Sequence, residues 1–185
     1  MKEIEYFLTT GEINSEKTLE IAHKRLQEND IHTVIIASSY GDTGLAVVNK
    51  LKDMPINVIV ISIDRHWDGI MRLSPDIKMK IESSGNTVYK GAMPFEYHRF
   101  TKEPGVKLIA DTLRRFGEGM KVCVEIILMA VSGELVADGE KVLAIAGTHR
   151  GADTAIVATA APIYYFNRFE INEILCKPYN IHKKE

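Results

Sequence analysis

The chain has 185 residues, of which 45% are hydrophobic and 26% charged, and its formal net charge is −2. This length and composition are typical of a single globular domain with a full hydrophobic core. The nearly balanced charge argues against nucleic-acid and membrane-surface binding, and no apolar run approaches the roughly 20 residues of a membrane span. The two cysteines are far apart in apolar surroundings, which predicts reduced thiols in a cytoplasmic protein. No Cys/His spacing matches a zinc site, so no metal site is predicted.

Strand and helix patterns alternate along the chain. We expect Ser15 to cap the first helix, and Ser74-Pro75 is typical of a helix start with Pro at the first helical position. In chain order, the patterns predict strands at 4–9, 32–37, 57–63, 87–89, 142–146, 154–160 and 171–176, and helices at 15–28, 42–52, 75–84, 105–116 and 120–131. This alternation predicts an α/β fold. We expect one domain over 1–185, a three-layer α/β/α sandwich around a mostly parallel sheet.

A hydroxyl-rich turn follows the buried strand at residues 33–37. The turn reads Ser38, Ser39, Tyr40, Gly41, Asp42 and Thr43, and a helical pattern begins directly after it. Helix N-termini offer unpaired N–H groups and a partial positive charge, so this turn predicts a phosphate-binding loop. The alternative is a helix capped by Ser39 or Asp42 with no ligand.

A second glycine loop follows the strand at residues 142–146. It contains Gly147, Thr148, Arg150 and Gly151, and the guanidinium of Arg150 can pair with an anion. The alternative is a polar connection with a surface arginine. If the two preceding strands are neighbours where the strand order reverses, both loops flank one crevice.

Two aromatic segments and one carboxylate are further candidates. Residues 64–69 include the single tryptophan, and residues 91–100 are long for a connection, so either segment would serve as a lid or would plug an edge or subunit interface. Glu125 is the one carboxylate in an apolar helix. We expect it to be buried and hydrogen-bonded, either as a ligand acceptor, or paired with Lys121 one turn earlier, or bonded to a nearby helix N-terminus.

Several common catalytic motifs are absent from the sequence. It contains no G-x-x-x-x-G-K-[ST] loop, no G-x-G-x-x-G fingerprint and no G-x-S-x-G elbow. The histidines have no evident triad partners. No catalytic residue is therefore predicted, and Arg114 is expected on a solvent-exposed face.

Several motifs occur together along nearly the whole chain: Ala37–Thr43, Lys121–Ile126, Gly151–Ala155 and the terminal Glu173-Ile174-Leu175-Cys176-x-Pro178. With them the chain resembles small, largely archaeal proteins with a pyruvate kinase C-terminal domain-like fold. The resemblance implies binding of flavin mononucleotide (FMN). In pyruvate kinase the similar domain holds a phosphorylated sugar effector on a hydroxyl-rich loop, but the catalytic barrel is missing here, so kinase activity is not implied.

The resulting hypothesis is a cytoplasmic domain that binds a phosphorylated small molecule, FMN, and forms no complex with nucleic acid or membrane. The phosphate is expected on Ser38–Thr43, with the side chain of Asp42 capping the helix or turned away. Gly147, Thr148 and Arg150 are expected on the other wall. The alternatives are a regulatory module that senses a sugar phosphate or nucleotide, and a structural subunit. A homo-oligomer is compatible with all three.

Overall fold

The computed structural model of the protein describes residues 3–63, 73–95 and 103–180, and these contain one seven-stranded sheet. Its strands are β1 (Glu5–Phe7), β2 (Thr33–Ala37), β3 (Asn57–Ile63), β4 (Thr87–Gly91), β5 (Lys141–Ala146), β6 (Thr154–Thr159) and β7 (Glu170–Pro178). Their order is β1-β7-β6-β5-β2-β3-β4. Every pairing is parallel except the two made by β6, which confirms the mostly parallel sheet.

Helices cover both faces of this sheet. They are α1 (Ser15–Leu26), α2 (Asp42–Leu51), α3 (Pro75–Ser83), α4 (Pro104–Arg114) and α5 (Glu118–Ser132). Apolar residues of α1, α2 and α3 share one core cluster, whereas α5 packs on the opposite face and α4 packs on α5. The three-layer α/β/α sandwich predicted from the sequence is therefore confirmed.

The central strands are buried on both faces because their side chains alternate between the two clusters. In β2, Val34 and Ile36 join the first cluster and Ile35 joins the second. A strand that is covered on both sides by helices reads as a continuous apolar run, which is why the sequence identifies β2 and β3 so clearly. Because β2 and β5 are buried almost to their last residues, the loops that follow them begin at the edge of the sheet.

Two helix starts test the capping predictions. Ser74 Oγ accepts a hydrogen bond from Ile77 N at 3.3 Å and Pro75 follows it, as predicted for α3. The prediction for Ser15 is wrong. A short 3₁₀ turn at Glu12–Asn14 leads directly into α1, and Ser15 Oγ instead accepts from Ala152 N at 2.9 Å. That hydrogen bond attaches α1 to the loop after β5.

Other differences from the sequence prediction concern element ends. β1 is shorter than predicted, and α5 begins at Glu118 because Gly117, with φ of +122°, separates it sharply from α4. Residues 64–69 and the 96–100 part of the second aromatic segment lie outside the described residues, whereas Phe95 is buried. None of the described helices is long and apolar enough to cross a membrane.

Candidate functional site

A cleft of about 600 Å³ lies at the carboxyl ends of β2, β3 and β5. β2 pairs in parallel with both β3 and β5. The chain leaves β2 towards β3 but leaves β5 towards β6, on the other side, so the two loops diverge and leave a crevice between them. Both predicted loops line this cleft, through Ser38, Ser39, Tyr40, Asp42 and Thr43 from the first and Gly147, Thr148 and Arg150 from the second.

Gly41 shapes the first loop although it is not among the residues that line the cleft. It is the N-cap residue of α2, with φ of +96°, and a Cβ atom there would lie 2.5 Å from side-chain carbons of Leu73 and Ile77. Only glycine suits this conformation and this space. The tight turn brings the first residues of α2, Asp42 and Thr43, to the cleft lining, and a helix N-terminus favours an anion.

The hydroxyl groups of the first loop have different roles. Ser38 Oγ accepts from Gly44 N at 3.0 Å, and Ser38 N donates to the carbonyl oxygen of Ile61 at 2.9 Å. Ser38 therefore fixes the loop to β3 and satisfies one N–H of α2. Ser39 and Thr43 are half-buried and line the cleft. Neither Ser39 nor Asp42 caps α2, so the capping expected of these two residues is wrong.

Asp42 bridges the two loops. Its Oδ2 accepts from Arg150 Nη2 at 2.7 Å, and the Arg150 guanidinium carbon lies 5.1 Å from the centroid of the Tyr40 ring. The Asp42 side chain therefore faces the second loop instead of capping α2. Both side chains of the ion pair are 58% exposed, so the bridge is a weak contact that an incoming anion can displace.

Asp153 fixes the second loop through hydrogen bonds to its backbone. The sequence did not indicate this role. It is fully buried, and its Oδ2 accepts from Gly11 N at 2.8 Å and from Thr148 N at 3.2 Å. Its Oδ1 accepts from the Thr154 hydroxyl at 2.8 Å. His149, at the tip of this loop, has φ of +64°, which is uncommon for a residue with a side chain. The anchored turn places Thr148, His149 and Arg150 on the cleft wall.

The first turns of α5 supply an apolar wall. Val122, Ile126 and Met129 recur at helical spacing and line the cleft. They are joined by apolar residues from the strands and from the segment after β4, namely Ala37, Ile61, Ile63 and Met93. The cleft therefore has one hydroxyl-rich side at the two loops and, at α5, a side on which these apolar residues adjoin the charged Glu118 and Lys121.

Glu125 is fully buried, as predicted, but it is not among the residues that line the cleft. Its Oε2 lies 2.6 Å from Lys121 Nζ, and its Oε1 accepts from Phe95 N at 3.1 Å. Burial raises the pKa of Glu125, and the nearby Lys121 ammonium opposes that rise. The predicted pairing with Lys121 is therefore present, and Lys121 is the member of the pair that lines the cleft.

Arg114 also lines the cleft, so its predicted place on a solvent-exposed face is wrong. Its side chain donates to Glu118 Oε2 at 2.7 Å and to Asp111 Oδ1 at 3.1 Å. The reason is tertiary: α4 ends beside the first turn of α5, which borders the cleft. No pattern within α4 itself indicates this neighbour.

The described lining carries three cations, Arg114, Lys121 and Arg150, and two carboxylates, Asp42 and Glu118. Among the described residues, no group of three or more His, Cys, Asp or Glu side chains is placed to hold a metal ion. An anion suits the hydroxyl-rich side, and a flat apolar group suits the α5 side.

The fold and cleft define an α/β domain with a ligand-sized crevice at the carboxyl ends of its strands. A family model described as the pyruvate kinase alpha/beta domain matches residues 16–158, more than half of the chain. The chain belongs to this family. A solved structure titled "Crystal structure of O-ureido-L-serine synthase" is 15% identical, with a TM-score of 0.32, and the match covers 70% of this chain and 40% of that one. A likeness at that score supports no functional argument.

Proposed function

We propose that the cleft binds flavin mononucleotide. The observation that supports this most is the joining of two chemically different walls in one cleft of about 600 Å³, a volume within the usual range for small-molecule sites. FMN is itself divided in this way, with a phosphate at one end and a flat ring system at the other. The resemblance to small flavin-binding proteins noted from the sequence adds to this proposal.

The phosphate would bind at the start of α2. Ser39 and Thr43 would donate hydroxyl hydrogen bonds, together with the N–H groups of the first turn. Arg150 would exchange Asp42 for the phosphate, since that ion pair is exposed and weak. Glycine at position 147 lets the second loop turn tightly beside the cleft, because a Cβ atom there would lie 2.6 Å from the carbonyl oxygen of Gly151.

The ring system would lie against the apolar wall of α5, formed by Val122, Ile126 and Met129. When bound, the flavin supplies hydride and electron-transfer chemistry, while the protein supplies binding, orientation and electrostatics. The residues on both walls would exclude water from the ring and fix its orientation. No residue is assigned a catalytic role in this proposal.

The second candidate is a regulatory module that senses a sugar phosphate or a nucleotide without catalysis. The hydroxyl-rich first loop and the Arg150 loop favour it, because these two elements alone would serve a ligand that lacks a large ring. A sugar phosphate would leave the apolar wall of α5 uncovered. Comparing a flavin with sugar phosphates therefore distinguishes the candidates.

The test is a titration of the purified protein with FMN and with riboflavin, which lacks the phosphate, followed by absorbance or flavin fluorescence. Ser39→Ala and Thr43→Ala should each weaken FMN binding about tenfold to hundredfold, because a hydrogen bond to a charged group contributes about 1.5–3 kcal/mol. Ser83→Ala is the control, since its exposed hydroxyl bonds only to the Lys80 carbonyl within α3.

Unchanged FMN affinity in both variants would rule out the first loop as the phosphate site. If sugar phosphates raise the thermal stability of the wild-type protein and FMN does not, the regulatory candidate replaces the flavin. A ligand present at 100 times its Kd stabilises by about 2.7 kcal/mol, so such a screen has ample sensitivity. A response to neither class would favour the structural subunit.

A further inference from the structure

Lys121 is a buried cation on the wall of the cleft. Its side chain is only 5% exposed, yet it contributes to the cleft lining. Its Nζ lies 2.6 Å from Glu125 Oε2 and 3.9 Å from Glu118 Oε1. Lysine is among the residues that are least often buried, and a buried ammonium needs a partner. Such a residue at the edge of a ligand cleft suggests a specific role there.

Glu125 accounts for the position of this ammonium. Its Oε1 accepts a hydrogen bond from Phe95 N, and its Oε2 forms a close ion pair with Lys121 Nζ. Because Glu125 is fully buried and absent from the cleft lining, a ligand would meet Lys121 and not Glu125. The carboxylate can therefore act on a ligand only through the lysine.

The position of Lys121 places it away from the phosphate loop. It adjoins Val122 and lies just over one turn before Ile126, on the helix that forms the apolar wall. The phosphate loop begins α2, which packs on the opposite face of the sheet from α5. A ligand whose phosphate occupies α2 therefore presents its other end to Lys121.

The other two cations of the cleft are less suited to that end. Arg150 is 58% exposed and belongs to the loop beside Asp42. Arg114 is 36% exposed and already bonds to both Asp111 and Glu118. A desolvated ammonium forms stronger polar contacts than an exposed one, because the local dielectric constant is lower.

We propose that Lys121 donates a hydrogen bond to the electron-rich polar edge of the ligand's ring system, and that Glu125 is the residue that positions Lys121 Nζ for this contact. This inference rests on the proposed function and specifies it: the ligand's ring carries acceptor atoms at the edge that meets α5. A ligand with a purely apolar second end would leave the ammonium without its contact.

Comparing FMN with riboflavin separates a ring contact from a phosphate contact. Lys121→Met should weaken both ligands by the same factor, about tenfold to hundredfold for a hydrogen bond from a charged group. Ser39→Ala should weaken FMN alone. Lys78→Met is the matched control, because Lys78 forms an i,i+4 ion pair with Glu82 on α3, where the residues do not line the cleft.

The outcomes distinguish the two proposals. If the wild-type protein binds neither FMN nor riboflavin, the proposed function fails and the ring contact fails with it. If the wild type binds and Lys121→Met leaves both affinities unchanged, only the ring contact fails. A loss confined to FMN would assign Lys121 to the phosphate and would also overturn the inference.

Glu125→Gln tests the positioning role. It should weaken both flavins in the wild-type background and have no further effect in a Lys121→Met background, because Glu125 acts through the lysine. A merely structural residue would lower affinity equally in both backgrounds. Lys121→Met leaves the buried Glu125 carboxylate without its partner and can therefore fail to fold. In that case the Lys121→Met/Glu125→Gln double variant, which lacks both charges, is the reference protein. Equal effects of Glu125→Gln in the two backgrounds would overturn the positioning role.

Discussion

At the scale of single residues, the clearest prediction concerns Arg150. Arg150→Ala should weaken FMN about tenfold, the lower part of the range for a charged hydrogen bond because this side chain is largely exposed. Riboflavin affinity should stay unchanged, since the lost contact is with the phosphate. The free energy of unfolding should change by less than about 1 kcal/mol, as expected for an exposed ion pair. Flavin titration measures the two affinities, and urea denaturation measures the free energy of unfolding.

Arg168→Ala is a closely matched control for this variant. Arg168 also forms an exposed ion pair of 2.7 Å, with Asp138, and its guanidinium carbon also lies 5.1 Å from a tyrosine ring, that of Tyr165. It does not line the cleft. Equal losses of FMN affinity in the two variants would mean that Arg150 acts through general charge and not through a phosphate contact.

The residues of the cleft differ in how far the sequence could identify them. The burial of Glu125 and its pairing with Lys121 follow from an isolated carboxylate in an apolar helix and from the i,i+4 spacing. The roles of Arg114 and Asp153 do not follow from any local pattern. Asp153 bonds to Gly11, which is 142 residues away in the chain, and this contact depends on the complete fold.

At the scale of elements, the close approach of α2 to the sheet decides where its N-terminus lies. A Cβ atom on Gly44 would lie 2.7 Å from Val60 Cγ1, and Val60 is a fully buried β-branched residue of β3. Gly44→Ala should therefore destabilise the protein by about 1–3 kcal/mol, because overpacking outweighs the gain in helix propensity. It should also weaken FMN binding, since α2 begins at the proposed phosphate-binding loop.

Gly105→Ala provides the comparison within the same molecule. Gly105 also lies in the first turn of a helix, α4, but a Cβ atom there would have no neighbour within 4 Å among the described residues. That substitution should leave stability unchanged or raise it by up to about 1 kcal/mol. Urea denaturation midpoints measure both effects. A Gly44→Ala variant as stable as Gly105→Ala would show that α2 can move away from β3 without cost.

At the scale of the whole molecule, the sequence predicted the layers but left the strand order open. Part of that order was accessible from loop lengths. A parallel connection needs a dozen or more residues, whereas only residues 147–153 join β5 to β6 and only 160–169 join β6 to β7, so β6 must run antiparallel to both. The pairing of β1 with β7 joins the two ends of the chain and has no comparable local signal.

An ion-pair network is a second long-range feature, and it joins α1 to β7 and β5. Arg25 of α1, whose side chain is 5% exposed, bonds to Asp30 at 2.6 Å and to Glu173 of β7 at 2.9 Å. Asp30 also accepts from Lys141 of β5 at 3.1 Å. Hydrogen bonding to the Arg25 guanidinium is the largest cause that holds the pKa of Asp30 well below its ordinary value of 3.8.

This network predicts how stability depends on pH. The pKa of Asp30 is lower in the folded state than in the unfolded chain, so its contribution is present above about pH 4 and is lost as the pH falls towards the folded-state value. The free energy of unfolding should therefore fall more steeply between about pH 5 and about pH 2 in the wild type than in Asp30→Asn. The raised pKa of Glu125 contributes with the opposite sign but equally in both proteins, so it cancels in the difference. Urea denaturation at a series of pH values measures the two slopes, and parallel curves would mean that Asp30 does not remain bound to Arg25 in solution. A steeper wild-type curve would establish that Asp30 is bonded in the folded protein, where it links Arg25 of α1 to Lys141 of β5. The contact with Lys141 joins residues 111 positions apart, which local sequence patterns could not predict.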